Sequence, residues 1–261
     1  MRTITVTNQK GGTGKTTTAA AIGTGLMHKG YRVLFIDLDG QADLSDSMRA
    51  DASGMGAATV MDVLEQKKPT VSTVTAAIQD VVIGDLHGGI MAASPALAGA
   101  DKTIIEVGKD HRIRKALSLI ADSYDFCVID TPPALGIATV NALTAADIVV
   151  IPAKADYYSL KATGNLYSTI EAVKEYNNPD MVIGGILLTG FTPRTIISRD
   201  MAELLEQTAS MMQTKVYDTK IRVCSALSEA QAMHEDIFTY NPKSNAAIDY
   251  GNLIKEILME Q

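Results

Sequence analysis

Lys10-Gly11-Gly12-Thr13-Gly14-Lys15-Thr16-Thr17 restricts the backbone more tightly than any other stretch of the 261 residues. Three glycines in four positions let the chain turn sharply, and nothing in the segment favours a strand or a helix until Lys15. The flanks are regular. Thr3 to Asn8 reads as a short strand running straight into the turn, and Thr17 to Lys29 carries a helical pattern closed by Gly30 just past its end. Arg32 to Asp37 is an apolar run ending in an acid, as expected of a buried parallel strand. Strand, glycine turn, helix and strand together make one βαβ unit.

Such a turn opening a helix suits phosphate. Glycines aim successive N–H groups at anionic oxygens, and the helix presents its positive end to the same place. Gly11, Gly12 and Gly14, with the amides from Thr13 to Thr17, form the predicted cradle. Lys15 is placed to reach the β and γ phosphates, and Thr16 to offer its hydroxyl to Mg²⁺. The strict G-x-x-x-x-G-K-[ST] rule fails, because Gln9 holds the first glycine position, and a second lysine, Lys10, stands in the loop. Asp37 and Asp39 lie at the tip of the second strand, with Asp43 four residues on, and Asp130 ends another apolar strand in the manner of a Walker-B acid. Open α/β sheets place ligands at these strand ends.

The alternation continues. Strands are predicted near residues 90–93, 125–130, 147–151, 181–189 and 215–221. Helices are predicted over 104–123, 138–145, 159–176, 198–208 and 246–259. Residues 50–85 fit either a helix or an insertion. The predicted fold is therefore α/β, a P-loop NTPase fold with a mostly parallel twisted sheet and helices on both faces, in one domain over 1–261. A net charge of −7 argues against a surface coated in positive charge for nucleic acid, though not against a local basic patch. Two cysteines without pair spacing predict a reducing, cytoplasmic setting with no zinc site or disulfide framework. No signal peptide and no membrane span are expected.

The motifs resemble those of the ParA/Soj/MinD group, the deviant Walker-A ATPases, over nearly the whole chain. Lys10 to Thr17 is similar to the signature motif, Val33 to Asp43 (V-L-F-I-D-L-D-G-Q-A-D) to the second and Phe126 to Gly136 (F-C-V-I-D-T-P-P-A-L-G) to the third. Leu187 to Thr195, the L-S-E-A at Leu227 and Tyr240 to Ser244 point to the partition branch. The resemblance implies an ATP- and Mg²⁺-dependent dimerising switch with slow hydrolysis, acting in plasmid or chromosome partition. Lys10 would cross the interface of an ATP-sandwich homodimer and meet the partner's phosphates, with the logic of an arginine finger. Asp39 would orient the attacking water and, with Thr16 and Asp130, serve the Mg²⁺. Asp37, Asp43, Thr131, Pro132 and Gly136 would form the switch regions, and Thr189 with the loop at Ile221 and Arg222 would lie near adenine. A ParB-type centromere-binding protein is the implied partner, and non-specific DNA the implied track, with nucleoid association when bound. Gly40 replaces the usual proline, and the arginines expected before Leu227 are displaced or missing, leaving Arg194 and Arg199 as candidate DNA contacts.

Three other roles compete. A MinD-like surface switch carries a basic amphipathic C-terminal helix, whereas residues 251–261 are acidic. A redox carrier needs paired cluster cysteines, and Cys127 and Cys224 are not so placed. A metabolic P-loop enzyme needs a further substrate pocket. His28, His87, His111 and His234 lack metal spacing, and Tyr157, Tyr158 and Lys154 read as packing or surface residues.

Overall fold

The computed structural model describes residues 1–53, 55–192 and 196–259, without the side chains of 157, 158, 160 and 196–199. The strands are β1 (Arg2–Val6), β2 (Val33–Asp37), β3 (Ile78–Ile83), β4 (Leu86–Met91), β5 (Phe126–Asp130), β6 (Ile148–Lys154), β7 (Val182–Phe191) and β8 (Ile221–Arg222). The helices in the first half are α1 (Lys15–Met27), α2 (Asp43–Ser47), α3 (Val60–Glu65), α4 (Val71–Ala76), α5 (Ala100–Thr103) and α6 (Arg112–Ser118). Those in the second are α7 (Ile137–Ala145), α8 (Tyr157–Tyr176), α9 (Ile196–Met211), α10 (Ser225–Ala232), α11 (Ile237–Tyr240) and α12 (Asn245–Met259).

The strands form one eight-stranded sheet in the order β3-β4-β2-β5-β1-β6-β7-β8. Every pairing is parallel except β3 with β4. The period of two splits each buried strand between two faces. Val33 and Phe35 join Ile4, Val6, Phe126 and Val128 against α1 and α12. Leu34 and Ile36 join Cys127 and Ile129 against α3, α6 and α7.

Helix α1 is sandwiched between the sheet and α12, and ten of its thirteen residues are buried. It ends as the sequence implies. Gly30 takes φ +86° and donates to Met27 O, and Tyr31 donates to Leu26 O. The apolar face of α12 packs on α1, with Tyr250, Leu253, Ile254 and Ile257 in the same core, and Thr18 Oγ1 lies 3.2 Å from Tyr250 Oη. The C-terminal helix is thus a core element.

Three stretches differ from expectation. Residues 50–85 hold α3, α4 and β3, and β3 pairs antiparallel with β4 through a two-residue turn, with Ile83 opposite Leu86. Gly84 supplies that turn with φ +57°. Residues 104–123 are helical only over α6, because Gly108 at φ +79° redirects the chain into a 3₁₀ turn over Lys109–His111. The last predicted strand shrinks to β8 plus a bridge between Ile186 and Val216.

Close packing of α1 on the sheet requires Gly23. A Cβ there would sit 2.0 Å from Phe35 Cε1 and 2.4 Å from Phe35 Cζ, and Phe35 is fully buried. Alanine gains about 0.5–1 kcal/mol of helix propensity over glycine, whereas overpacking a core costs roughly 1–3 kcal/mol. The contact falls so far inside van der Waals distance that strain wins. Gly23→Ala is expected to lose about 1–2 kcal/mol of stability, read as a lower urea midpoint with an unchanged slope.

Candidate active site

The glycine turn lies at the carboxyl end of β1, with β5 on one side and β6 on the other. Gly12 and Gly14 take φ of +72° and +86°, a region that side chains with a Cβ avoid. Gly14 is the N-cap of α1. No side chain caps this helix, and its first turn holds no acid. The free N–H groups of its first turn are therefore open to an anion from outside the chain.

The loop is braced from beneath. Asn8 Nδ2 donates to Pro152 O at 2.7 Å while Asn8 Oδ1 accepts from Lys10 N at 3.1 Å. Thr189 Oγ1 donates to Thr13 O at 2.8 Å. The lysines divide. Lys15 is buried and folds back to Lys10 O at 3.3 Å. Burial lowers its pKa, and Asp130 and Asp39 act against that. Lys10 turns away to Asp156, at 2.6 and 2.7 Å from its two carboxylate oxygens, and to Ser159 Oγ at 3.3 Å.

The acids converge. Asp37 and Asp130 face each other in the β2–β5 register and are fully buried. Thr16 Oγ1 donates to Asp130 Oδ2 at 2.6 Å. Burial, then the neighbouring Asp37 charge, pushes Asp130 up to about 8 against the pull of Thr16 and Lys15. Burial pushes Asp37 up to about 6, although Ser45 donates to it from both Oγ (2.7 Å) and N (2.8 Å) and Asp39 N donates at 3.1 Å. Asp39 is half-exposed, and with Gly11, Gly12, Lys15, Thr16 and Asp43 it lines a cavity of about 610 Å³.

Thr131 Oγ1 holds Val6 O at 3.0 Å. Gly136 caps α7, where Asp101 Oδ1 accepts from Ile137 N at 2.7 Å. A Cβ on Gly136 would meet Asp101 Oδ2 at 2.3 Å, so any larger residue there would displace the Asp101 carboxylate from its bond to Ile137 N. Pro133, rather than Pro132, reaches the cavity wall. Thr189, Ile221 and Arg222 are not on that wall. Thr189 is buried under the loop, Ile221 is buried in β8, and the Arg222 guanidinium is held by Asp249 at 2.6 Å. Arg194 lies outside the described residues, and Arg199 sits in α9 with its side chain undescribed.

Sequence reasoning missed Asn8, Ser45, Asp101 and Asp156. Only Asp156 carried a signal. Asp156 followed by Ser159 is a helix-start pattern, and Asp156 Oδ1 accepts from Ser159 N at 2.9 Å.

An uncapped helix start, a lysine beneath it and a hydroxyl–carboxylate pair at the strand ends suit a nucleoside triphosphate with Mg²⁺. Among the described residues no cluster of three or more His, Cys, Asp or Glu could hold a metal unaided. That agrees with Mg²⁺, which completes its shell with phosphate and water. Thr16 and Asp130 would hold it, and it would neutralise charge on the phosphates. These features define a P-loop nucleotide-binding protein.

Residues 1–183 match the family AAA_31, described as an AAA domain. The chain is 34% identical to the sporulation initiation inhibitor protein Soj of Bacillus subtilis, over 97% of each protein. It is 33% identical to the chromosome partitioning protein ParA of Myxococcus xanthus, over 98% of this chain and 88% of that one. Cobyrinic acid a,c-diamide synthase from Mycobacterium smegmatis, solved with an ATP analog and magnesium, superposes with a TM-score of 0.80 at 31% identity, covering 99% of this chain and 94% of that one. The chain belongs to the ParA/Soj-type deviant Walker-A P-loop ATPases. It is an ATP-hydrolysing enzyme whose cofactors are ATP and Mg²⁺.

Replacing Lys15 with alanine removes a cation buried beneath the loop. Charge-assisted hydrogen bonds contribute about 1.5–3 kcal/mol each, so Lys15→Ala is expected to weaken ATP binding roughly 100-fold or more. Titration with a fluorescent ATP analogue checks this, and wild-type affinity would refute the site.

Proposed function

We propose that this protein is a single-domain partition switch, in which ATP closes a homodimer and slow hydrolysis reopens it. The position of Lys10 carries the reading. It belongs to the phosphate loop yet points away from its own cavity toward Asp156. The side chains of this pair are 26% and 36% exposed. Ion pairs at that exposure contribute about 0–1 kcal/mol, so this pair alone does little to oppose release of the lysine. A triphosphate on a neighbouring subunit offers it more charge and better desolvation. There it would neutralise charge developing on the γ-phosphoryl group. Asp39, on the opposite wall of the cavity, would orient the attacking water. The Gly136–Asp101 contact would register whether the γ-phosphate is present.

The resemblance to Soj and to a chromosome partitioning ParA supports work in plasmid or chromosome partition. A ParB-type DNA-binding partner would stimulate turnover, and the acidic chain suits a basic partner segment. Non-specific DNA would be the track, in a cytoplasmic, nucleoid-associated setting. Among the described residues no helix is long and apolar enough to cross a membrane. A second reading, ATP-driven chemistry on a small acid, draws on the 31% identity to the cobyrinic acid enzyme.

Lys10→Ala is expected to bind ATP with near-normal affinity and to lose at least 90% of its turnover, itself well below roughly 1 per second. Normal turnover would show that Lys10 does not act across an interface. Asp39→Ala is expected to accumulate as an ATP-bound dimer, so light scattering showing only monomer would refute that role. Duplex-DNA binding with ATP and with ADP, titrated against salt, separates the two readings. ATP-dependent binding with a steep salt slope supports partition, and no binding favours the metabolic role.

A further inference from the structure

The glycines that let the phosphate loop turn also leave its peptide planes free to rotate, because glycine takes either sign of φ at little cost. A loop that aims several N–H groups at one anion needs those planes fixed from outside. Otherwise binding must select one loop conformation among several, and affinity falls in proportion. The need is greatest at Thr13, which stands between Gly12 at φ +72° and Gly14 at φ +86°.

The sheet supplies the brace. Register between β1 and β6 ends at Val6 and Val150, whereas β6 and β7 run on together to Lys154 and Thr189. The end of that longer pair forms a ledge under the loop. Asn8 reaches the ledge at Pro152 O and steadies the start of the loop. Thr189 holds its middle. Thr189 Oγ1 lies 2.8 Å from Thr13 O and 3.4 Å from Ala153 O. A hydroxyl has one proton to donate, and the shorter contact takes it. Thr13 and Thr189 are both buried, which shields this bond from water.

A trans peptide points its C=O and its N–H in opposite directions. With Thr13 O turned down to Thr189, the Gly14 N–H of the same plane turns up. Gly14 lines the nucleotide cavity and Thr189 does not. The second branch of Thr189 gives support of another kind. The place that a Cβ on Gly14 would take is 3.9 Å from Thr189 Cγ2, an ordinary packing distance. The hydroxyl thus orients the loop and the methyl underlies it, and the two effects can be separated.

We propose that Thr189 is a positioning residue for the phosphates, its hydroxyl setting the Thr13–Gly14 peptide so that the Gly14 N–H faces the ligand. Its contribution falls on the polyphosphate and is the same whatever base is attached. This rests on the nucleotide site alone and holds or fails independently of the partition reading.

Two variants of the full chain test it. Thr189→Val keeps the methyl and the strand-favouring branched shape but lacks the donor. Thr189→Ser keeps the donor and lacks the methyl. Each is titrated with a fluorescent ADP analogue, against which Mg·ATP, Mg·ADP, Mg·GTP and magnesium tripolyphosphate compete, and urea midpoints report stability. Thr189→Val is expected to bind ATP, ADP and tripolyphosphate at least roughly tenfold more weakly, by one common factor, with the ratio of ATP to GTP affinity unchanged. Thr189→Ser is expected to stay within about threefold of the wild type. A purely structural role predicts the reverse order, since valine fills the space that serine leaves empty. Wild-type affinity in Thr189→Val, an equal or larger loss in Thr189→Ser, a loss confined to nucleotides while tripolyphosphate binds normally, or failure of tripolyphosphate to compete in the wild type would each overturn the proposal.

Discussion

Two carboxylates buried side by side, Asp37 and Asp130, set the terms for the rest of the molecule. The β2–β5 register makes them neighbours at the end of the sheet, and neither has access to water. Burial favours the neutral form of each, and the charge of one further opposes ionisation of the other. The result is an Asp130 pushed up to about 8 and an Asp37 up to about 6. A chain selected for stability alone would place apolar residues here, since buried like charges are unfavourable unless compensated. The surrounding groups compensate only in part. Ser45 and the Asp39 amide satisfy Asp37, and Thr16 and Lys15 stand beside Asp130. A divalent cation would supply the remaining positive charge, so the strand ends make physical sense as one half of a metal–phosphate site.

The glycine loop supplies the other half, and its backbone is held firmly. Asn8 ties it to β6 and Thr189 ties it to β7. Long lysine side chains are the movable parts. Lys15 is confined by burial, while Lys10 pairs with Asp156 where the two side chains are 26% and 36% exposed. A rigid cradle with a partly exposed cation beside it would let a switch act through side chains, without rebuilding the fold.

Much of this was legible in the sequence because the signals were local. The glycine turn, the strand-end acids and the apolar runs of β1, β2 and β5 each announce themselves within ten residues. The failures share a cause, which is dependence on distant neighbours. Strand β4 contains Gly88 and Gly89, poor strand formers on propensity. A Cβ at Gly88 would lie 2.9 Å from Val33 O, and at Gly89 2.5 Å from Tyr124 Oη, so tertiary closeness selects glycine where local preference argues against a strand. The Gly84–Asp85 turn was a readable hairpin signal that the ambiguous composition of 50–85 obscured. The resemblance implies that Thr189 and Arg222 lie near adenine, and what anchors them comes from distant parts of the chain. Thr189 braces the loop, and Arg222 is anchored to Asp249 on α12, a partner 27 residues away that no local pattern reveals. Asp156 is legible locally as a helix cap, but its pairing with Lys10, 146 residues distant, is not.

The same long-range logic gives α10 a place in the switch. Gln231 bridges to Thr17 at the first turn of α1, and His234, held at φ +50°, reaches Asp46 on α2. One short segment thus touches both the phosphate-binding helix and the helix that follows Asp39. Any nucleotide-driven shift of α2 must either move that segment or break its contacts, because α1 is fixed by the core. By thermodynamic reciprocity, whatever stabilises the segment in one position also changes the affinity for nucleotide, by the same factor in each direction. The contacts involved are few and exposed, so any such coupling would be graded rather than absolute. It would rest on Gln231 and His234, two residues outside every motif that identifies the family.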